Sequence, residues 1–537
     1  MIVRLESQWQ MRDRDCAEMA VYGCLACMNE TTEQSGLEGW KTVLGARVSE
    51  FRRNVREDVA RMCRGEGTSG GFGLRVERQV QAIVNEVGRA LMREVFEAAD
   101  TAASEVSVGG ERWGNRRETT GNYETSFGEV SLRRATYQKA GRGRVLIPVD
   151  ARLGMVEGRY SPLVARIGNR ALASMPTDEG EALLKEIGVC LLSRSTLHRL
   201  PQAMLARVHD NMDIVEAHVR ASDSVPPEAR TVQVGLDGVM VPMDGEDAAP
   251  RGRKTPTPEP ARHERRYGAK APACDEPAEV SVPEDDATEA PASDTKGLAW
   301  REASVGTLSF WDKDGEWLKT IYLGQMPSYR KLDLVSRLEK EFAAVHQERP
   351  DLRVVLASDG APTQWEELRS LADRVLGDKP RTELLDFFHG AARLGSAAKA
   401  IWGASEDATV IGEHWKAVLR EKARGAMLVL KALDYQRSVA TPTVAKEITK
   451  SMNYLAHQKK EGRLAYAAAK RDKLPIGTGV TEAAAKTLVT VRMKRSGARY
   501  SDHGGQTILT LRAALLSGRF AAFSEELESS YTLPVAA

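Results

Sequence analysis

The stretch TVQVGLDGVMVPM, residues 231–243, is apolar almost throughout and is broken by a single acid, Asp237. Continuous apolar character, in place of strict alternation, belongs to a strand covered on both faces, such as a central strand between helical layers. A carboxylate inside such a strand loses its hydration and is tolerated where it is paired or holds a metal. Asp237 therefore marks both the centre of a sheet and a place where chemistry is expected.

Downstream, EASVGTLSFW (302–311) and EWLKTIYL (316–323) flank Asp314-Gly315 and predict a β-hairpin. SYRKLDLVSRLEKEFAAVHQE (328–348) has helical spacing. DLRVVLASDG (351–360) is a short apolar strand ending in Asp359, QWEELRSLADRVL (364–376) is helical, and TELLDFFH (382–389) reads as another strand. The order from 231 is β-β-β-α-β-α-β, followed by a mostly helical stretch over 390–475. It predicts an α/β fold, a mixed sheet with helices on its faces, in the order of the ribonuclease H topology.

A third acid comes late, in LPIGTGVTEAAAKTLVTVRMKRSGARY (474–500). The Gly477–Gly479 turn opens a helix whose first turn carries Glu482, followed by small residues and then by Lys486, Arg492, Lys494, Arg495 and Arg499. In open α/β sheets the functional crevice lies beyond the carboxyl ends of the strands. A helix packed over that edge would bring Glu482 to Asp237 and Asp359. Three carboxylates suit Mg²⁺ or Mn²⁺, with two ions as the arrangement for in-line phosphoryl chemistry. The cations after Glu482 would hold the phosphates, and Lys486 falls one helical turn beyond it on the same face. Singly, each residue has a plain structural reading: Asp237 in a turn, Asp359-Gly360 as a loop start, Glu482 favoured by the helix dipole, the cations as a solvated face. Strand order, acids and cations together favour the site.

Upstream, FRRNVREDVARM (51–62) and ERQVQAIVNEVGRALMREVFEAA (77–99) are helical in spacing. Gly65, Gly67 and Gly70 fit GxGxxG, but a helix precedes them where a dinucleotide site needs a strand, so a flexible connector is expected. ETSFGEVSLRRATYQ (124–138) and RVLIPVD (144–150) read as short strands around glycine turns. TDEGEALLKEIG (177–188) and SRSTLHRLPQAML (193–205) have helix-turn-helix proportions, which open two readings: a DNA-binding pair in which Arg194, His198 and Arg199 face a groove, or a basic helix pair within a plain bundle. Residues 245–296 are dense in proline, basic at the front and acidic at the back, and predict a disordered insertion or a long loop. The expected domains are a helical region 1–104, a small β and helix-turn-helix DNA-binding region 105–225, a catalytic domain 226–520 with insertions at 245–296 and 390–475, and a tail 521–537.

The chain has 537 residues and a net charge of +1, so a polyanion partner would have to use a local patch. Six cysteines without regular spacing fit a reducing cytoplasm. Cys24 and Cys27 form a CxxC with no second pair, so metal binding there is not favoured. No apolar run approaches the roughly 18 residues of a membrane span, and MIVRLESQWQMRDRD lacks a signal-peptide core.

VGLDGVMVPM, EASVGTLSF, ASDGAPTQWEEL, LPIGTGVTEAAAKTLVTVRMKRSGARY and GGQTILTLRAALLSGRF resemble the ISKra-type insertion-sequence transposases, a DDE family with a ribonuclease H-like core. TSFGEVSLRRATY, LGMVEGRYSPLVARIG and SRSTLHRLP extend the resemblance, which covers about 100 to 520. It implies Asp237, Asp359 and Glu482 as the metal-binding triad, and a helical insertion over 390–475 before the glutamate. It implies metal-dependent cleavage and strand transfer at the terminal inverted repeats of an insertion sequence, target DNA as second substrate, a homo-oligomer on DNA, and a cytoplasmic, nucleoid-associated setting with no membrane. It also suggests a place near the scissile phosphate for His389, beside the plainer role of a structural histidine. Relatives carry cysteines after the strand matching RRATY; QKAGRGR has none, which leaves no zinc ribbon to expect. A ribonuclease H-like nuclease or junction resolvase is the alternative enzyme. A catalytically silent DNA-binding protein is the alternative outside enzymes, and an intact triad argues against it.

Overall fold

The computed structural model describes residues 30–64, 71–139, 143–244, 300–327 and 331–537. Cys24 and Cys27, the three glycines of the GxGxxG match and the 245–296 segment lie outside these residues. The protein is α/β and divides into two compact units, Met1–Met212 with Ser524–Ala537, and Asp213–Phe523. Among the described residues no helix is long and apolar enough to cross a membrane.

In the first unit, α1 (Glu30–Cys63) and α2 (Phe72–Ala99) precede β1 (Val106–Val108), β2 (Glu111–Thr125) and β3 (Gly128–Gln138). The sheet order is β3-β2-β1-β9, with β9 (Val535–Ala536) arriving from the far end of the chain. Two of the residues expected as a tail thus pair at a sheet edge, Val535 with Val108 and Ala536 with Ser107. RVLIPVD is a correction: Leu146 makes only a bridge to Tyr137, and Pro148 opens the helix α3 (Pro148–Leu153). Proline lacks the N–H a ladder needs but fits a helix's first turn. β2 went unread because ERWGNRRETTGNYET is polar and mostly exposed, leaving little alternation to see. After α4 (Pro162–Ser174), α5 (Thr177–Ile187) stops at Gly188, φ 72°, and α6 (Arg194–Val208) starts from Ser193, whose hydroxyl accepts the Thr196 N–H at 3.3 Å. This is the expected helix pair.

In the second unit, α7 (Met212–Ala221) leads into β4 (Thr231–Pro242), β5 (Trp300–Trp311), β6 (Trp317–Gln325), α8 (Lys331–Glu348), β7 (Arg353–Ser358), α9 (Pro362–Leu376) and β8 (Thr382–Leu385). The sheet order is β6-β5-β4-β7-β8; β4, β5 and β6 are antiparallel neighbours, and β7 and β8 run parallel to β4. Alternate residues of β4 face opposite layers. Val232, Val234 and Leu236 join the core with Leu338 and Phe342 of α8 and Leu368 of α9, while Val239 and Val241 pack with Ala484, Leu488 and Val489. Helices cover both faces, so the 231–243 run had to be apolar throughout.

Helices α10 (Phe387–Trp402), α11 (Glu406–Glu421), α12 (Gly425–Val439), α13 (Pro442–Lys460) and α14 (Tyr466–Arg471) fill the stretch expected to be helical. TELLDFFH is corrected at its end: the strand stops at Leu385, and Asp386 caps α10, placing His389 in a helix's first turn. Then come α15 (Gly479–Ala484), a π-helical stretch Ala485–Thr490, a closing turn Val491–Met493, and α16 (Asp502–Leu516).

Candidate functional site

The register of β4 against β7 pairs Gln233 with Val355 and Gly235 with Ala357. Continued by two residues, it sets Asp237 level with Asp359, both on the face that α15 covers. β7 against β8 ends with Ser358 beside Leu385, and one residue further Asp359 stands level with Asp386. Three parallel strands thus each deliver an aspartate at or just past the end of their shared ladder.

Asp359 is fixed by its own loop. Its Oδ1 accepts the Ala361 N–H at 3.0 Å, and the Tyr454 hydroxyl donates to its carbonyl at 2.9 Å. Gly360, at φ 101°, has no room for a side chain, since a Cβ would strike the Tyr454 hydroxyl and come within 2.9 Å of Leu385. Asp237 Oδ1 accepts the Gly238 N–H at 2.7 Å.

Glu482 reaches this edge because the 474–482 segment is pinned to the sheet. Gln233 Nε2 donates to the Gly477 carbonyl at 2.8 Å, and the Phe387 N–H to the Ile476 carbonyl at 3.1 Å. α15 then lies close on β4: the hydroxyls of Thr481 and Thr307 are 2.9 Å apart, and a Cβ on Gly235 would run into Thr481. Ala484 and Ala485 are buried against the sheet, which explains the small residues after the acid, whereas Ala483 is exposed.

Asp386 was not among the predicted site residues. It is fully buried, and its oxygens accept the Phe388 N–H at 2.6 Å, the Thr478 N–H at 3.1 Å and the Thr478 hydroxyl. That same hydroxyl lies 3.1 Å from Glu482 Oε1, and one proton cannot serve both carboxylates at once. Asp386 therefore ties the start of α10 to the loop that presents Glu482. His389 Nε2 is 3.5 Å from Glu482 Oε1, with both side chains about half exposed (49% and 46%). Single ligand atoms of Asp386, His389 and Glu482 lie within 4.8 Å of one another, close enough to hold a metal ion. The sequence signal for Asp386 was an acid directly after an apolar strand, the same pattern that marked Asp359.

The electrostatics tie the acids together. Burial pushes the Asp237 carboxyl up to about 6, and the charges of Asp359 and Glu482 push the same way. Glu482 is held down to about 2, first by its hydrogen bond with His389. The same bond raises His389, with Asp386, Asp359 and Glu482 adding to it. Burial raises Asp386. Asp237, Asp359, Glu482 and His389 thus share one field.

The cations divide. Lys486, Lys494, Arg495 and Arg499 are exposed. Arg492 corrects the expectation of an outward-facing run: it is 6% exposed, its Nη1 donates to the Tyr500 hydroxyl at 3.1 Å, and that hydroxyl donates back to its carbonyl at 2.9 Å. The π-helical stretch begins at Ala485, so plain α-helical spacing does not carry from Glu482 to Lys486 and beyond. Arg512 bonds the carbonyls of Thr487 and Leu488 within that stretch. In the first unit Arg194 and Arg199 are exposed; Arg194 Nε donates to Glu181 at 3.1 Å and Arg199 Nε to the Ser195 carbonyl at 3.4 Å. Searches against protein-family models, characterised proteins and solved structures found no match for this chain.

Proposed function

We propose that the second unit is a ribonuclease H-like catalytic domain and that the protein is a DDE transposase of an insertion sequence. It would cleave DNA strands at the element's terminal inverted repeats and join them to target DNA. One observation carries this reading. Asp237, Asp359 and Glu482, far apart in sequence, feel one another's charge near the end of the parallel ladder, where burial first and like charge after it raise Asp237. A binding protein gains nothing from that repulsion, whereas a divalent cation would relieve it.

The donor set fits Mg²⁺ or Mn²⁺: three carboxylates, Asp237 and Asp359 partly exposed and Glu482 exposed, with an imidazole alongside. Asp237, Asp359 and Glu482 would hold two ions, and Asp386 would position Glu482 through Thr478. Such ions, when bound, activate water or a 3′-hydroxyl toward a phosphodiester and stabilise the leaving oxygen. The chain's own share is positioning and charge. His389, drawn toward its protonated form by Glu482, stands ready to donate to a phosphate oxygen. Lys486, Lys494, Arg495 and Arg499 neutralise backbone phosphates without reading sequence. Arg194 and Arg199, on the exposed surface of α6, are the proposed groove contacts for the element's ends. Joining two ends calls for a homo-oligomer on DNA.

The test is incubation of the full chain with Mg²⁺ and a plasmid carrying the DNA that flanks its own coding region. Nicks with 3′-hydroxyl ends, followed by joined products, support transposition. Nicking without joining selects a nuclease or junction resolvase, and binding without cleavage selects a silent DNA-binding protein.

A further inference from the structure

Two tyrosines of the helical stretch 390–475 reach back to the ends of the parallel strands. Tyr466, fully buried at the start of α14, donates its hydroxyl to the Leu385 carbonyl at 2.9 Å, where β8 ends. β8 is an edge strand, and the Leu385 N–H likewise finds its partner in this stretch, the Arg463 carbonyl at 3.0 Å. Tyr454, on α13, donates to the Asp359 carbonyl at 2.9 Å, one residue past the end of β7. The Asp359 side chain folds onto the same loop, its Oδ1 accepting the Ala361 N–H at 3.0 Å. The peptide that Tyr454 holds therefore also sets the direction of the carboxylate.

Tyr454 is itself held from α10. Its ring lies under the Arg393 guanidinium, 4.8 Å from the centroid, a cation–π contact. Ser451, one turn earlier on α13 and buried, donates to the Arg393 carbonyl at 3.1 Å. Gly360, at φ 101°, leaves the space for the hydroxyl, which a Cβ there would strike. Asp359 and Gly360 are only half-buried, so water could satisfy the Asp359 carbonyl. What the tyrosine adds is direction. We infer that Tyr454 is a positioning residue for the metal centre: from the helical insertion it fixes the Asp359–Gly360 peptide, and with it the approach of the Asp359 carboxylate to a divalent cation. This rests on Asp359 being a metal ligand, as proposed above, and gives the insertion a part in the site.

Tyr454→Phe removes the hydroxyl and keeps the ring under Arg393. Ile448→Val, at a fully buried position of the same helix, is the reference for lost packing alone. Full-length protein without DNA is titrated with Mn²⁺ by calorimetry, and amide hydrogen exchange at Gly360 and Ala361 is followed in EDTA. Tyr454→Phe is expected to bind Mn²⁺ about 10–100-fold more weakly than wild type, the usual cost of losing a group that orients a ligand, and to exchange faster at both amides. Ile448→Val should match wild type in both. In cleavage of flanking DNA, Tyr454→Phe should lower kcat with KM for DNA unchanged, and excess Mn²⁺ should restore part of the rate. Unchanged Mn²⁺ affinity in Tyr454→Phe, or an equal loss in Ile448→Val, would overturn the proposal. So would a wild type that takes no Mn²⁺. If wild type binds Mn²⁺ and cleaves no DNA, the transposase reading fails, and the calorimetry and exchange still decide the role of Tyr454.

Discussion

Asp237→Asn should abolish strand cleavage and at the same time make the metal-free protein more stable. The Asp237 carboxyl titrates at about 6 in the folded chain, against an ordinary 3.8, with burial as the largest cause. Between these values the folded state holds more protons than the unfolded one, so stability falls as pH rises through the window and levels off above it. A displacement of about two pH units corresponds to roughly 3 kcal/mol of penalty at pH 8, shrinking to under about 1 kcal/mol at pH 4. An asparagine carries no charge, and its side-chain oxygen still accepts the Gly238 N–H that Asp237 accepts at 2.7 Å. Urea unfolding in EDTA at pH 4 and pH 8 measures the effect. The variant should gain up to about 3 kcal/mol at pH 8 and little at pH 4, and Mg²⁺ should stabilise wild type but not the variant. A variant no more stable than wild type at pH 8, or a gain independent of pH, would refute the claim that Asp237 is a partly buried charge that folding desolvates.

Gly235→Ala should cost about 1–3 kcal/mol by overpacking, because the new methyl meets Thr481 and comes within 2.9 Å of Thr307; adding Thr481→Ala should recover part of the loss in thermal melts. Arg492→Gln should lower stability by about 1–3 kcal/mol, since it disrupts a buried bond to Tyr500, with little change in the salt slope of DNA binding. An intact melting curve with weakened DNA binding would show instead that Arg492 contacts DNA. Lys494→Ala with Arg495→Ala should weaken binding to specific and random duplexes alike and lower the salt slope by up to about 1.8, checked by titration at several salt concentrations. An unchanged slope would leave these cations as a solvated face.

The sheet was legible because its signals are local. The apolar run at 231–243, the Asp314-Gly315 turn and the acid after 351–358 each follow from residues close in sequence, and they return as β4, the β5–β6 hairpin and β7. What stayed hidden depends on distant partners. The tie from Asp386 to the loop that presents Glu482 needs Thr478, and the burial of Arg492 needs Tyr500 bonded back onto the end of β4 through Asp244. Nothing in AKTLVT announces a π-helix; those residues suit an α-helix, and Arg512, from another helix, satisfies carbonyls within that stretch. At the other extreme, β2 is held by its hairpin partner and by β1, so its polar sequence carries almost no pattern of its own.

The central claim is that Asp237, Asp359 and Glu482 act as one metal-dependent centre for phosphodiester chemistry. Its most direct test is cleavage of the native flanking DNA by wild type and by Asp237→Asn, Asp359→Asn and Glu482→Gln, each with Mg²⁺, Mn²⁺, Ca²⁺ or EDTA. The account predicts 3′-hydroxyl ends from wild type with Mg²⁺ or Mn²⁺ only, and no cleavage by any of the three variants although DNA binding persists. Cleavage in EDTA, or near-normal cleavage by any one variant, would contradict it.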